Sequence, residues 1–246
     1  MWIYLLLAGV WAGAQNALAG GGSFVTLPVL ILSGIDARAA NITSTIALFP
    51  GQVTTGFAGR SLVSGAQQLS FRALFVISLA GGVVGALLLL ATPPSFFARL
   101  LPWLVLAATA LFAWGSFFRK PADEQQASLG PVMAGVLQFL IAIYGGYFGG
   151  GIGFLMLAAL TIAGMPVRQA GATKNVLAGV MNASAVAIFA FSGEVKWTAA
   201  LALGAGAIGG GLLGAWALRW VNEQALRVGV VVLGLALTVG LFLRTP

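Results

Sequence analysis

The chain has 246 residues, of which 12 are Lys or Arg and 5 are Asp or Glu, so its net charge is +7. Apolar residues make up 60% of the chain and charged residues only 7%, whereas soluble domains carry roughly 25% charged residues. Too few charges are present to cover a soluble surface, so the composition predicts an integral membrane protein. Because the sequence contains no Cys and no His, thiolate and imidazole metal sites and Cys or His nucleophiles are excluded.

Ten apolar segments follow one another when the chain is divided at charges, prolines and glycine clusters. They cover residues 2–18, 23–34, 39–59, 70–91, 97–118, 131–149, 152–164, 169–191, 196–217 and 224–243. Most are long enough to cross a bilayer, which takes about 20 residues, but the second and the seventh are not. Each short segment and the segment before it therefore either both span the membrane or form a re-entrant hairpin. The predicted fold is an all-α integral membrane protein.

One stretch reads as an aqueous loop, and it lies near the midpoint of the chain (RKPADEQQASLG, residues 119–130). A midpoint loop suggests a duplication, for which the sequence offers three matches in the same order. The GGG at 20–22 matches that at 149–151, GIDARAANITST at 34–45 matches GMPVRQAGATKN at 164–175, and GGVVGALLL from Gly81 matches GGLLGAWAL from Gly210. Low complexity alone would not also align an Arg and a Thr. We predict a first repeat at 1–118, a cytoplasmic linker at 119–130 and a second repeat at 131–246.

An odd number of segments in each repeat predicts that the two halves are inverted in the membrane. With ten segments, seven basic residues fall on one side of the membrane and four on the other, which favours a cytoplasmic midpoint loop and periplasmic termini. The seven are Arg60, Arg72, Arg119, Lys120, Arg168, Arg219 and Arg227, and the four are Arg38, Arg99, Lys196 and Arg244. The internal recurrence of the first segment at 131–151 favours a structural helix at 2–18 over a cleaved signal peptide.

The two GGG sequences predict helix breaks inside the membrane. Each glycine weakens a helix by about 1 kcal/mol relative to Ala, and freed backbone at this depth is tolerated only beside protein or a water-filled cavity. The short helix after each break offers unpaired N–H groups and a positive dipole end, which suit an anion. The expected binding residues here are Gln15, Asn16, Gly20, Gly21, Gly22, Ser23, Gly149, Gly150 and Gly151, with Tyr144 and Tyr147 nearby. The GxxxG pairs from Gly81 and Gly210 are instead read as helix packing.

A second set of polar residues lies in the segments that follow the breaks. Its expected anion ligands are Asn41, Thr43, Ser44, Gln52, Thr173, Lys174 and Asn175. Two alternatives stay open, since hydroxyl groups in membrane helices often bond to carbonyls of their own helix and Lys174 could extend to the cytoplasmic interface. The five acids all lie in loops or at segment ends, which disfavours a proton relay or a cation site in the core.

At these motifs the chain resembles the TauE/SafE family of sulfite and sulfonate exporters, also called toluene-sulfonate uptake permeases. The likeness rests on AGGGSFVTLPVLILSGI (19–35) with ANITST (40–45), and on FGGGIGFLMLAALTIAGMP (148–166) with AGATKN (170–175). The first copy has Pro28 after its glycines as the family does, whereas the second has Leu157. The resemblance implies a permease of the bacterial inner membrane that moves small sulfur-containing anions.

We therefore expect a secondary transporter and not an enzyme, with an anion site between the two breaks near the midplane. No cofactor, metal or nucleic acid is expected. The expected partners are a small anionic substrate, the lipid bilayer, a coupling proton or sodium ion, and a second copy in a homodimer. The alternative is a membrane scaffold or subunit without transport activity of its own.

Overall fold

The computed structural model describes residues 2–18, 21–58, 60–66, 69–118, 130–217 and 223–244. These ranges form an all-α protein, which confirms the predicted fold class. Their ten α-helices coincide with the ten apolar segments: α1 Trp2–Leu18, α2 Ser23–Leu32, α3 Ala37–Ala58, α4 Phe71–Ala91, α5 Pro94–Ala113, α6 Pro131–Tyr147, α7 Ile152–Ile162, α8 Val167–Phe189, α9 Trp197–Ala217 and α10 Glu223–Arg244. Most of the linker, residues 119–129, lies outside the described residues.

Among the described residues, four helical stretches are long and apolar enough to cross a membrane, which supports a multi-pass membrane protein. They are Phe71–Ala91, Pro94–Phe117, Gln169–Phe189 and Trp197–Gly214. With 10 and 11 residues, α2 and α7 rise only about 15–17 Å, roughly half of the 30 Å hydrocarbon thickness. Neither can cross alone, so their length favours the re-entrant hairpins over separate spans.

Glycine contacts join the two halves of the chain, among them two seams of parallel helices. In the first, α1 runs parallel to α9, where Gly206 and Gly210 lie against the backbone of Leu6 and Val10. In the second, α4 runs parallel to α6, where Gly85 lies against the backbone of Ile143. A Cβ atom at any of these glycines would collide with the facing backbone, so the seams exist because the side chains are missing. The packing interpretation of the glycine motifs at Gly81 and Gly210 fits these contacts.

The two halves also meet at an antiparallel crossing of α3 and α8. Asn182 Nδ2 donates a 2.5 Å hydrogen bond to Gln52 Oε1, and Gly56 lies near the backbone of Asn175 and Val176. When Thr43 is aligned with Thr173, Gln52 is aligned with Asn182, so this bond joins matching residues. Antiparallel contact between matching residues supports the inverted repeat, which stays a prediction.

We predict that Gly206→Ala lowers the midpoint of thermal unfolding in detergent by several degrees. Its new Cβ would lie about 3 Å from the Val10 nitrogen and the Gly9 Cα, and overpacking of this kind costs about 1–3 kcal/mol. The matched control is Gly209→Ala on the same helix, where no atom lies within 4 Å of an added Cβ. There the better helix propensity of Ala raises or preserves the midpoint. Equal effects of the two changes would contradict the role of the seam.

Candidate functional site

The first helix break is closed by side chains of its own half. Gly21 adopts φ +80°, a left-handed conformation that glycine takes without strain. Its carbonyl accepts a 3.1 Å hydrogen bond from Gln15 Nε2, and the Gln15 Oε1 accepts one from Trp11 Nε1 at 3.2 Å. The buried ring of Phe24 packs against Gly21. The freed backbone is thus satisfied and the adjacent space is filled.

The second break uses the same bond at the matching position. Tyr144 Oη donates a 2.9 Å hydrogen bond to the carbonyl of Gly150, just as Gln15 does to Gly21, six residues further along in each case. Asn41 Nδ2 reaches across from the first half and donates a 3.1 Å hydrogen bond to the carbonyl of Tyr147, the last residue of α6. These polar groups therefore satisfy carbonyls released at the breaks, as membrane burial requires.

Among the described residues, a cation lies beside the second break and none lies beside the first. Lys174 Nζ lies 3.4 Å from the position that a Cβ atom at Gly153 would take, in the first turn of α7. In the alignment of the GGG sequences, Gly153 matches Phe24, so the first half has a large ring where the second has room for an ammonium group. Lys174 itself matches Ser44, whose hydroxyl lies 2.5 Å from that of Thr26. The two breaks are chemically different.

Lys174 lies about a third of the way along α8 and not at its end. Lys174 is the eighth residue of α8, so its Cα stands roughly 10 Å from the start of the helix. Its side chain extends toward the N-terminal turn of α7 and not toward the outer end of α8. Within the described part of the chain, no hydrogen bond or ion pair engages Nζ. A partly buried cation beside a helix N-terminus is suited to an anion.

Backbone N–H groups at the two helix starts also differ. In α2 the N–H groups of Phe24, Val25 and Thr26 donate to the carbonyls of Gly21 and Gly22 at 2.9–3.1 Å. In α7, among the described residues, no carbonyl ahead of the helix accepts from the N–H groups of Ile152 or Gly153. The donors that an anion needs are therefore available at the second break.

The two matching threonines hold loops at opposite ends of the molecule. The buried Thr43 Oγ1 accepts a 3.1 Å hydrogen bond from the Lys196 backbone N–H, just before α9. The buried Thr173 Oγ1 accepts from the Ser64 backbone N–H at 3.1 Å, in the loop before α4. Neither hydroxyl is bonded to a carbonyl of its own helix, unlike Thr45, which donates to Asn41. Both instead fix a loop of the other half.

An ion pair reinforces the end at which Thr43 lies. Arg38 Nη2 lies 2.6 Å from Glu194 Oε1, and Arg38 Nη1 donates to the carbonyls of Thr92 and Leu90 at 2.7 and 3.2 Å. This side chain connects α3, the end of α4 and the loop before α9, across 156 residues of sequence. In the sequence Arg38 and Glu194 are recognisable only as charged residues at segment ends.

The structure does not gather the predicted site residues into one place. Gln15, Gly21, Gly22 and Ser44 lie at the first break, with Asn16 and Ser23 partly buried beside them. Gly149, Gly150, Gly151 and Lys174 lie at the second break, while Gln52 and Asn175 border a groove between α3 and α8. Gly20 lies outside the described residues. Gly153 was not among the predicted site residues. Its alignment with Phe24 shows, already in the sequence, that the two halves differ in side-chain size at this position.

Comparison with known proteins identifies the family. The sequence profile described as sulfite exporter TauE/SafE matches residues 5–241. The chain belongs to the TauE/SafE family. It is 31% identical to the probable membrane transporter protein ORF9 of Sinorhizobium sp., over 97% of this chain and 91% of that protein. A probable membrane transporter protein of Haemophilus influenzae is 28% identical, over 95% and 91% of the two chains.

A third relative is also named as a probable membrane transporter. The probable membrane transporter protein YfcA of Escherichia coli K12 is 26% identical, over 93% of this chain and 84% of that protein. No solved structure matches the chain at a significant level. The TauE/SafE protein described here is therefore a multi-pass membrane transporter and not an enzyme.

We predict that Tyr144→Phe destabilises the protein, because it leaves the Gly150 carbonyl without its hydrogen bond inside the membrane. The expected cost is about 1–3 kcal/mol, the penalty of a buried unsatisfied polar group. Thermal unfolding in detergent measures it, with Tyr4→Phe as the control, since Tyr4 is 75% exposed. If the two variants unfold at the same temperature, the bond to Gly150 does not support the break.

Proposed function

We propose that this TauE/SafE protein moves a small sulfur-containing anion, such as sulfite or an organosulfonate, across the inner membrane. The proposed binding site is the second helix break, where Lys174 meets the first turn of α7. A proton or sodium gradient is the proposed driving force. Lys174 supplies the charge, and the N–H groups of Ile152 and Gly153 supply directional donors to the oxyanion.

The observation that carries this proposal is the position of the Lys174 ammonium beside Gly153. An ionisable group in a membrane segment is costly and is usually functional. Since the described residues offer Lys174 no carboxylate, a bound anion is the natural counter-charge. The first break has no matching cation, so we narrow the site from the space between both breaks to the second break. Gln15, Asn41, Thr43 and Thr173 then act as supports of the backbone.

Solid-supported-membrane or isotope flux on proteoliposomes tests the transport of sulfite, sulfoacetate and taurine. We expect saturable flux of at least one of the two anions, sulfite and sulfoacetate, and weaker flux of taurine, whose ammonium group opposes Lys174. Absence of saturable flux for every small anion would leave a scaffold without transport activity as the better account.

We predict that Lys174→Met weakens anion binding by tenfold or more, because it removes the positive charge from the site. The control is Lys196→Met, which removes an exposed lysine and leaves the backbone bond of residue 196 to Thr43 intact. Isothermal titration or a thermal-shift titration with the transported anion reports the affinity. If Lys174→Met binds as wild type does and Lys196→Met does not, the site lies elsewhere.

The proposed orientation places the midpoint loop in the cytoplasm and both termini in the periplasm. Because the chain has no Cys, single-cysteine labelling can test this orientation without labelling of native cysteines in the protein. We expect Gln126→Cys to resist a membrane-impermeant maleimide in intact cells and Ser192→Cys, in the loop of Glu194, to react. The reverse pattern would invert the assignment. A homodimer stays a prediction.

A further inference from the structure

A groove of about 340 Å³ runs between α3 and α8 on the side of the molecule. Its walls are mainly apolar and include Phe49, Val53, Val176 and Val180. Val53 is 48% exposed and Phe57 is 64% exposed, so this face is in contact with the surroundings of the protein. In a multi-pass transporter, those surroundings at mid-helix depth are lipid chains. The groove has the chemistry of an acyl-chain site.

One end of the groove carries a cation just beyond the end of α3. Arg60 follows the end of α3 at Ala58 and is the charged residue among the described groove residues. Its guanidinium carbon lies 3.7 Å from the centroid of the Phe57 ring, and its Nη1 donates a 3.3 Å hydrogen bond to the Phe57 carbonyl. The exposed guanidinium is therefore held over the mouth of the groove, with donors still facing outward.

Polar groups also border the groove near its charged end. Asn175 lines the groove, and its backbone carbonyl lies 3.5 Å from the position of an added Cβ at Gly56, one turn before Arg60. The groove thus has a guanidinium and the polar Asn175 near one end, and its other walls are apolar except for Gln52. A glycerophospholipid likewise presents a phosphate and ester carbonyls at one end and then acyl chains.

We propose that this groove binds an anionic phospholipid, with its phosphate at Arg60 and one acyl chain between α3 and α8. The site is separate from the proposed anion site, because Lys174 faces the start of α7 whereas Asn175 borders the groove. The lipid lies against the crossing at which Gln52 and Asn182 join the two halves. Its binding stabilises that crossing, and this holds whether or not the transported anion is correctly assigned.

Charge selectivity is the first test, made on the full chain purified in a neutral detergent. Dioleoyl phosphatidylglycerol and dioleoyl phosphatidylcholine share their acyl chains and differ in headgroup charge. By native mass spectrometry we expect the wild type to retain the phosphatidylglycerol at least threefold better, and Arg60→Gln to retain both equally. Arg72→Gln, which removes another exposed arginine near the start of α4, keeps the preference. Equal selectivity of Arg60→Gln and wild type would overturn the proposal.

Filling the groove is the second test. No atom lies within 4 Å of an added Cβ at Gly179, which borders the groove, or at Gly240 in α10. We expect Gly179→Leu to fold and to lose retention of both lipids, while Gly240→Leu retains them as wild type does. Equal lipid retention in the two variants, with both folded, would overturn the acyl-chain site.

Two further probes separate a lipid from other anions. Glycerol phosphate, which has the headgroup but no acyl chain, should not raise the thermal midpoint at concentrations where phosphatidylglycerol does. An equal rise would indicate a free-phosphate site and would contradict lipid binding. Sulfite or sulfoacetate should not displace the bound lipid from wild type, since displacement would assign the groove to the transport path instead.

Discussion

The hydrocarbon interior of a bilayer offers no hydrogen bond to a broken helix, and this constraint determines where most polar side chains of this protein lie. Gln15 and Tyr144 donate hydrogen bonds to the carbonyls of Gly21 and Gly150. Asn41 donates one to the carbonyl of Tyr147. Without such partners each carbonyl would carry the full cost of burial. The helix breaks can therefore exist inside the membrane only because these polar side chains satisfy the carbonyls that the breaks release.

A second consequence of the lipid solvent is that helix association has to come from close packing, because lipid tails are as apolar as the helices. The two glycine seams provide this close packing, and both join one half of the chain to the other. The α3–α8 crossing has a different interaction, the hydrogen bond that the side-chain amide of Asn182 donates to that of Gln52. It is less apolar than the seams, and the groove between α3 and α8 opens beside it.

Much of this fold could be predicted from the sequence, because the lengths of the apolar segments locate the helices and the glycine clusters locate the breaks. The ten segments and the packing role of Gly81 and Gly210 follow from composition and spacing alone. Side-chain partners far apart in sequence could not be read in this way. Nothing local pairs Arg38 with Glu194 or Thr173 with Ser64, because the helix packing brings them together. The sequence identifies the polar residues, but it does not show that they form hydrogen bonds with backbone groups.

The proposed anion site lies at one break of the predicted duplication, because the two breaks differ chemically. At matched positions the first half has Phe24 and Ser44, and the second has Gly153 and Lys174. The ring of Phe24 fills space beside Gly21, and Ser44 bonds to Thr26, so that half keeps its break closed and neutral. Removing the ring at Gly153 opens room, and the lysine supplies charge to it. The proposed site needs both changes, because a cation requires space beside the helix start and the space requires a charge to attract an anion. The proposal therefore rests on two departures from the predicted repeat, whereas the glycine breaks are common to both halves.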